Sequence, residues 1–525
     1  MGLPGVTINV QDGGLNQSLP GNGNTEYVIG PGSQGPFFQL IQSTNPTAFQ
    51  ANGMGSGVEL AGFVANSTGN PVAFVAVPVT GGANTAVSGK IPGGSTSAVT
   101  VSGTPFDNYV PAIVTVLVGG TVGAVGIQLG ISVDNDRTTA YTVNLPTNGL
   151  VTTGTTFTTQ TGLTVTCGAG TLVAGDSFSW VSTEGVWSDA AINSAINCML
   201  PIPSLVPEDI IVAGGSACRA AANAYVAPGA GGYYPGTVGV QPSDMTVFDG
   251  YMATLFNKKR YNGLLCAAGD ALWGGASTET EAQWMTSLET NFAAVVSGGV
   301  GRPAQVGATA GHYNVVSPYS QSQFRRPALW QAAARDSAVA IQVKWGRRSD
   351  GALANMPNSP PPVADGFIYH DEYVTPGLDA ARFVTLMSST PKPGFFFAND
   401  NLFATPGSDF NWYVHLHVIC AACLVGVDFF TDELEDSVRV NANGNILPVD
   451  ANDIQTRANQ QLANVLTNAG AVSSATCIVS LTDNILQTAT LSVTFKIQPL
   501  GYLQNIPVTI TFTNVAAVVV ASSGG

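Results

Sequence analysis

Four residues of the types that bind zinc, His415, His417, Cys420 and Cys423, fall in one apolar run from Trp412 to Phe430. The run reads as a helix. At 3.6 residues per turn, positions 417, 420 and 423 drift around the axis by about 60° per step. Two of them can share an ion, but a closed four-ligand site needs groups from elsewhere. A Cys-x-x-Cys redox pair belongs at a helix N-terminus, where the thiolate is stabilised, and this pair lies mid-helix. Ordinary packing is therefore expected, with no metal. His370-Asp371-Glu372 is the densest ionisable cluster. Neighbouring residues on a strand or loop point in different directions, so the triplet reads as a polar loop rather than a catalytic dyad. No phosphate-binding G-x-x-x-x-G-K-[ST] and no G-x-S-x-G elbow occur. The densest glycine stretch, Gly229 to Gly239, reads as a loop. A polysaccharide-cleaving site would need paired carboxylates in a cleft, and Asp107, Asp134, Asp136, Asp176 and Glu184 do not suggest one. Neither a catalytic residue nor a cofactor is expected.

Composition points the same way. The 525 residues are 10% charged, against about 25% in an ordinary soluble protein. The net charge of −15 argues against direct nucleic-acid binding and against an anionic membrane. Ten of the 18 basic residues lie between Lys258 and Arg348, which fits either local solvation or a basic face that meets acidic neighbours. Large homo-assemblies tolerate so weakly charged a surface because much of it is covered. Seven cysteines, odd in number and widely spread, imply no disulfide framework and a reducing cytoplasm. No signal peptide is read at the amino terminus. The 412–430 run holds His415, His417 and Asp428 between acidic flanks, so a buried or interface helix is expected rather than membrane insertion.

The elements that would position these residues divide the chain into an α+β multidomain protein. Val6, Ile8 and Val10 alternate with polar residues in an isolated strand, and Val508, Ile510 and Phe512 do the same at the other end. Residues 81–184 form short Val/Thr runs separated by turn residues, an inserted all-β domain. Residues 21–80 with 185–400 form a middle α/β domain. Within it, Asp209–Ala213 and Tyr261–Cys266 read as strands. Thr278–Glu281 reads as a capping box before a helix carrying Met285, Leu288, Phe292 and Val295 on one face. Thr375-Pro376 reads as an N-cap with proline at the first helical position. Residues 401–500 form a C-terminal α/β core domain. It has one helix from Ser408-Asp409 to Phe430, a second from Asp453 to Ala469 closed by Gly470, and strands at 475–481 and 489–497. Residues 1–20 and 501–525 are extended strand arms. Apolar strands at free termini are an aggregation hazard unless something pairs them.

The opening Gly2-Leu-Pro-Gly-Val-Thr-Ile-Asn-Val-Gln-Asp-Gly-Gly14 resembles the start of one branch of contractile phage tail sheath proteins. So do Tyr369-His-Asp-Glu372, Pro376-Gly-Leu-Asp379, Ala381-Arg-Phe383, and Asn401-Leu-Phe-Ala404 leading to Gly407-Ser-Asp-Phe410. In the inserted block, Val101-Ser-Gly-Thr-Pro-Phe-Asp107, Thr161-Gly-Leu-Thr-Val-Thr166 and Ala174-Gly-Asp176 resemble the β-insertion of that branch. The resemblance implies a common C-terminal core domain with outward insertions. Its arms, here Val6, Ile8, Val10 and Val508, Ile510, Phe512, would add strands to neighbouring copies. An inner helix near 409–430, with Asp409, Asn411 and His415, would face the tail tube, and 453–469 competes for that place. The implied partners are copies of the same chain in stacked rings, the tail tube protein, and baseplate and tail terminator proteins. The implied location is the tail of a virion assembled in the host bacterial cytoplasm. A capsid, tube or fibre component is the alternative, but it would not need complementary strands at both termini.

Overall fold

The computed structural model describes residues 25–508 except 85, 92, 134–140, 150–154, 217–239, 269–280, 320, 322, 357–369 and 505. Val6, Ile8, Val10, Ile510, Phe512, Thr278 and the 229–239 loop therefore lie outside the described residues.

A six-stranded sheet holds the centre. Its strands are β1 (Glu26–Pro31), β2 (Leu40–Ser43) and β3 (Val72–Val77), with three more from later in the chain. Those are β10 (Asp209–Val212), β11 (Gly263–Ala267) and β12 (Val306–Thr309), and the order is β12-β11-β10-β1-β3-β2. All neighbours are parallel except β2, which runs antiparallel to β3. The strands are near-continuous apolar runs because helices cover both faces. Val28, Phe74, Ile211 and Leu265 point into one core with α1 (Ser56–Thr68) and α5 (Leu329–Ala338). Tyr27, Val75, Ile210 and Leu264 point into the other with α2 (Asp189–Asn197), α3 (Pro242–Asn257) and α4 (Glu281–Phe292). Met285, Leu288, Phe292 and Val295 all enter this second core.

Between β3 and α2 the chain forms antiparallel strands around a core of its own. They are β4 (Val99–Gly103), β5 (Tyr109–Val118), β6 (Gln128–Ser132), β7 (Tyr141–Asn144), β8 (Leu163–Cys167) and β9 (Ser177–Thr183). Alternate residues such as Val114, Val116, Leu129, Ile131, Phe178 and Trp180 fill that core. Arg326, on β14 (Gln323–Pro327), which pairs with β13 (His312–Val316), ties this block to α1. Its guanidinium lies 2.5 Å from Glu59 and 3.1 Å from Asp107, all buried.

The C-terminal layer consists of α6 (Tyr413–Asp432), α7 (Pro448–Leu462), and a hairpin of β15 (Ser474–Val479) and β16 (Val493–Gln498). The sequence places the start of α6 at Ser408-Asp409, but the helix begins at Tyr413. Its cap comes from Asp400, whose carbonyl accepts the Tyr413 amide and whose Oδ2 accepts that of Val414 at 2.9 Å. Helix α7 begins at Pro448, a favoured first helical residue. It runs into a π-turn at Ala463–Thr467, and Gly470 follows with φ of 71°. The expected helix after Thr375 does not form. Glu372 Oε1 already takes the amides of Gly377 and Asp379, and the Asp379 carboxylate is held by Asn399 and Asn401. The segment is a chain of turns instead.

Candidate assembly site

Helix α6 meets the length and hydropathy of a membrane span, with a mean hydropathy of 1.8, yet two cores account for its apolar surface. Tyr413, Leu416 and Cys420 pack toward the central sheet, while Val418, Ala421, Ala422 and Val425 pack toward α7 and the hairpin. A helix between two cores must be apolar nearly all round. Its C-terminal half leaves one apolar stripe partly open. There, Ile419, Cys423, Val427 and Phe430 form, with Phe495 and Ile497 of β16, a groove of 610 Å³. Gly426 lets Phe495 lie against the helix, because a Cβ there would come to 3.1 Å from its ring.

The same strand carries an open edge. Val493, Phe495 and Ile497 pair with Val479, Cys477 and Ala475. On β15 the Cys477 and Val479 amides turn away from β16, to Asn459 Oδ1 at 2.6 Å and Gln455 Oε1 at 3.2 Å on α7. In an antiparallel ladder the opposite residues of such a pair also turn their backbone groups outward. Those of Val493, Phe495 and Ile497 therefore face away from the hairpin, and among the described residues β16 pairs only with β15. Beyond β16 the chain is held at three points: the Pro499 carbonyl accepts from Ser473 Oγ at 3.0 Å, the Tyr502 hydroxyl donates to the Gln342 carbonyl at 2.9 Å, and Gln504 Nε2 donates to Asn399 Oδ1 at 2.8 Å. Along this stretch Leu503, Ile506 and Val508 are exposed.

Asp409 and Asn411 are exposed and His415 is half-buried at the N-terminal corner of α6. His415 Nδ1 lies 2.8 Å from the Asp409 carbonyl, and its ring sits between Trp412 and Tyr502. Lys344 Nζ stands 3.4 Å from the centre of the Trp412 ring. The competing helix α7 turns a polar face to solvent through Asn452, Asp453, Thr456, Arg457 and Gln460.

The ionisable groups fall into closed clusters. His370 and Glu372 do form a pair, contrary to the expectation from adjacency. In a turn, residues two apart can meet, and Nε2 lies 2.7 Å from Glu372 Oε2 while Nδ1 lies 3.0 Å from Glu281 Oε1. With Glu281 also accepting from Thr375, the cluster pins the 371–382 turns to α4. Asp107 and Glu184, far apart in sequence, converge with Glu59 around Arg326. Burial pushes Glu184 up to about 8 against the opposing pull of Ser56 and Arg326. The adjoining cavity, 20 Å³, holds about one water. Cys420 and Cys423 are not thiolates: burial pushes Cys420 well up and Cys423 to about 11.

His417 is the residue whose surroundings the sequence did not reveal. It is buried against Glu208, Asp209 and Asp336. Burial opposes its charge, but Asp209, Asp336 and Glu208 outweigh that and hold it well above the ordinary histidine range. Burial in turn pushes Glu208 up to about 8, and Glu26 and Asp336 well above the carboxylate range.

No family profile matches the chain, and no curated protein matches it. Solved structures do. The sheath tail protein of Desulfitobacterium hafniense is 11% identical, covering 94% of this chain and 100% of that one, with a TM-score of 0.41. The contracted helical sheath of the anti-feeding prophage is 7% identical, covering 97% and 99%, with a TM-score of 0.45. The contracted PVC sheath of an extracellular contractile injection system is 8% identical, covering 98% and 99%, with a TM-score of 0.45. All three are sheath proteins.

Proposed function

We propose that this chain is the structural subunit of a contractile sheath, polymerising as a helical cylinder around a tail tube and contracting to drive that tube through a host envelope. The observation that carries the reading is the coincidence of an open strand edge on β16, an apolar groove beside it and an exposed apolar tail. Strand addition takes its affinity from main-chain hydrogen bonds and its register from alternate side chains. An arm bearing Val6, Ile8 and Val10, or Val508, Ile510 and Phe512, supplies both to a neighbour. Such head-to-tail contacts need not close on themselves and build rings or helical tubes. The block at 81–184 is an inserted domain carried outward on this frame.

Contact with a tube protein runs through the Asp409, Asn411 and His415 corner or the polar face of α7, because the middle of α6 is enclosed. Baseplate and terminator proteins bound the cylinder at its two ends, and the assembled particle is a virion tail or a related injection device. The extended state is held kinetically. On triggering, subunits turn outward into larger contacts while the arms stay paired. Even about 2–3 kcal/mol per subunit, an ordinary coupling energy, sums to a large total over many copies without nucleotide hydrolysis.

Deleting residues 1–14 tests the reading. The expected outcome is a folded chain with unchanged circular dichroism that no longer sediments as polymer. Polymerisation that survives the deletion contradicts it.

A further inference from the structure

Five buried ionisable side chains meet where the N-terminal ends of the central strands face α6. Glu26 opens β1, Glu208 and Asp209 stand at the start of β10, Asp336 belongs to α5, and His417 to α6. The imidazole is oriented. Asp209 Oδ2 lies 3.2 Å from Nε2, while Asp209 Oδ1 is fixed by the Gly263 amide at 2.9 Å. With Asp209 accepting the Nε2 proton, Nδ1 faces Glu208 Oε1 at 3.2 Å and Asp336 Oδ1 at 3.9 Å, the latter also accepting from Trp345 Nε1 at 2.9 Å, and a cation that displaced the Nδ1 proton would find a lone pair there. Donor atoms of Glu208, Asp336 and His417 all lie within 4.8 Å of one another. A carboxylate behind the distal nitrogen of a histidine is the arrangement that sets the tautomer of metal-binding imidazoles.

Unpartnered oxygens point to what is missing. Glu208 Oε2, Asp336 Oδ2 and both oxygens of Glu26 are buried, and no amide, hydroxyl or basic side chain donates to them. Glu26 is fully buried beside Asp336, with which its carboxyl shares a hydrogen bond. Four carboxyl groups and one imidazole closed to solvent can be neutralised in two ways, by protons on the carboxyls or by a cation among them. Buried charge of this kind is paired or coordinates a metal.

We propose that Glu208, Asp336 and His417 Nδ1 bind one divalent transition-metal ion, zinc by preference, with Glu26 as a further carboxylate beside it and Asp209 as the positioning residue behind His417. Mixed imidazole and carboxylate donors suit zinc, and three protein ligands plus a fourth oxygen match its tetrahedral habit. The ion would cross-link α6 to the sheet and α5. Because the site is closed, it would load during folding. Neither part depends on the sheath reading.

The test uses the untagged full chain, purified without chelator and analysed by elemental mass spectrometry, then refolded from urea with ZnCl2, MnCl2 or EDTA. The expected results are about one metal ion per chain as purified and a higher unfolding temperature after refolding with zinc than with EDTA. His417→Gln should lose the metal and the difference between zinc and EDTA. Should that variant fail to fold, Asp209→Asn, which keeps all the ligands, should weaken metal retention by roughly 10–100-fold. Substoichiometric metal in the wild type, with identical unfolding in zinc, manganese and EDTA, would overturn the proposal and leave protons to balance the cluster.

Discussion

The six-stranded sheet and the β15–β16 hairpin treat their edges differently. In the sheet, β12 is covered on its outer side, where Val306 and Ala308 carbonyls accept the Phe403 and Val384 amides. At the other end β2 is four residues long and partly polar. In the hairpin, β15 is covered by Asn459 and Gln455, and β16 is not. Natural proteins blunt strand edges with short strands, charges or covering segments. Three edges here are short or covered, and the fourth carries one charge, Lys496, but is left uncovered beside an apolar groove. The difference separates edges that the fold closes from the one edge on which the proposed strand addition relies.

Substitutions can break that comparison from either side. The largest effect is expected from Arg326→Leu, which leaves Glu59 and Asp107 buried without their partner. Such a loss costs about 3–5 kcal/mol, read by urea unfolding, while any folded protein should still polymerise. Val493→Pro removes one outward amide at the first residue of β16, where proline is tolerated. Fold stability should barely change, but the critical concentration for polymerisation should rise roughly tenfold, the equivalent of about 1.4 kcal/mol. Sedimentation across a dilution series measures it.

The smallest effect is expected from Asp450→Asn on α7, whose carboxylate accepts from the Arg439 side chain and amide. Those bonds hold Asp450 below the usual carboxylate range. A depressed pKa contributes stability above the unfolded value of about 3.9 and loses it as pH falls through the folded value. The variant should therefore be slightly less stable than the wild type at pH 7 and equal to it at pH 2. A gap that widens in acid would contradict the assignment.

Much of the framework was legible because it rests on local pattern. The strand at 209–212 is one apolar run, and the face of α4 repeats with helical period. The hairpin strands alternate, and Gly470 marks the end of its helical segment. The sheath resemblance likewise rests on contiguous runs. What escaped depends on distant residues. Asp400 caps α6 from thirteen positions before its first residue, Tyr413, which no capping motif encodes. The Thr375-Pro376 signal was overridden by Glu372, which had already taken the amides. His417 gave no sign of Glu208, Asp209 and Asp336, because parallel topology alone brings those positions together. The groups that reach His417 from elsewhere in the fold are carboxylates rather than cysteines.

We propose that the open β16 edge and the terminal arms make this chain a self-assembling sheath. Electron microscopy of the purified full chain, with tail tube protein as template where the chain alone stays monomeric, tests it most directly. The account predicts hollow, helically striated cylinders. Discrete closed shells, or monomers that persist with the tube present, would contradict it.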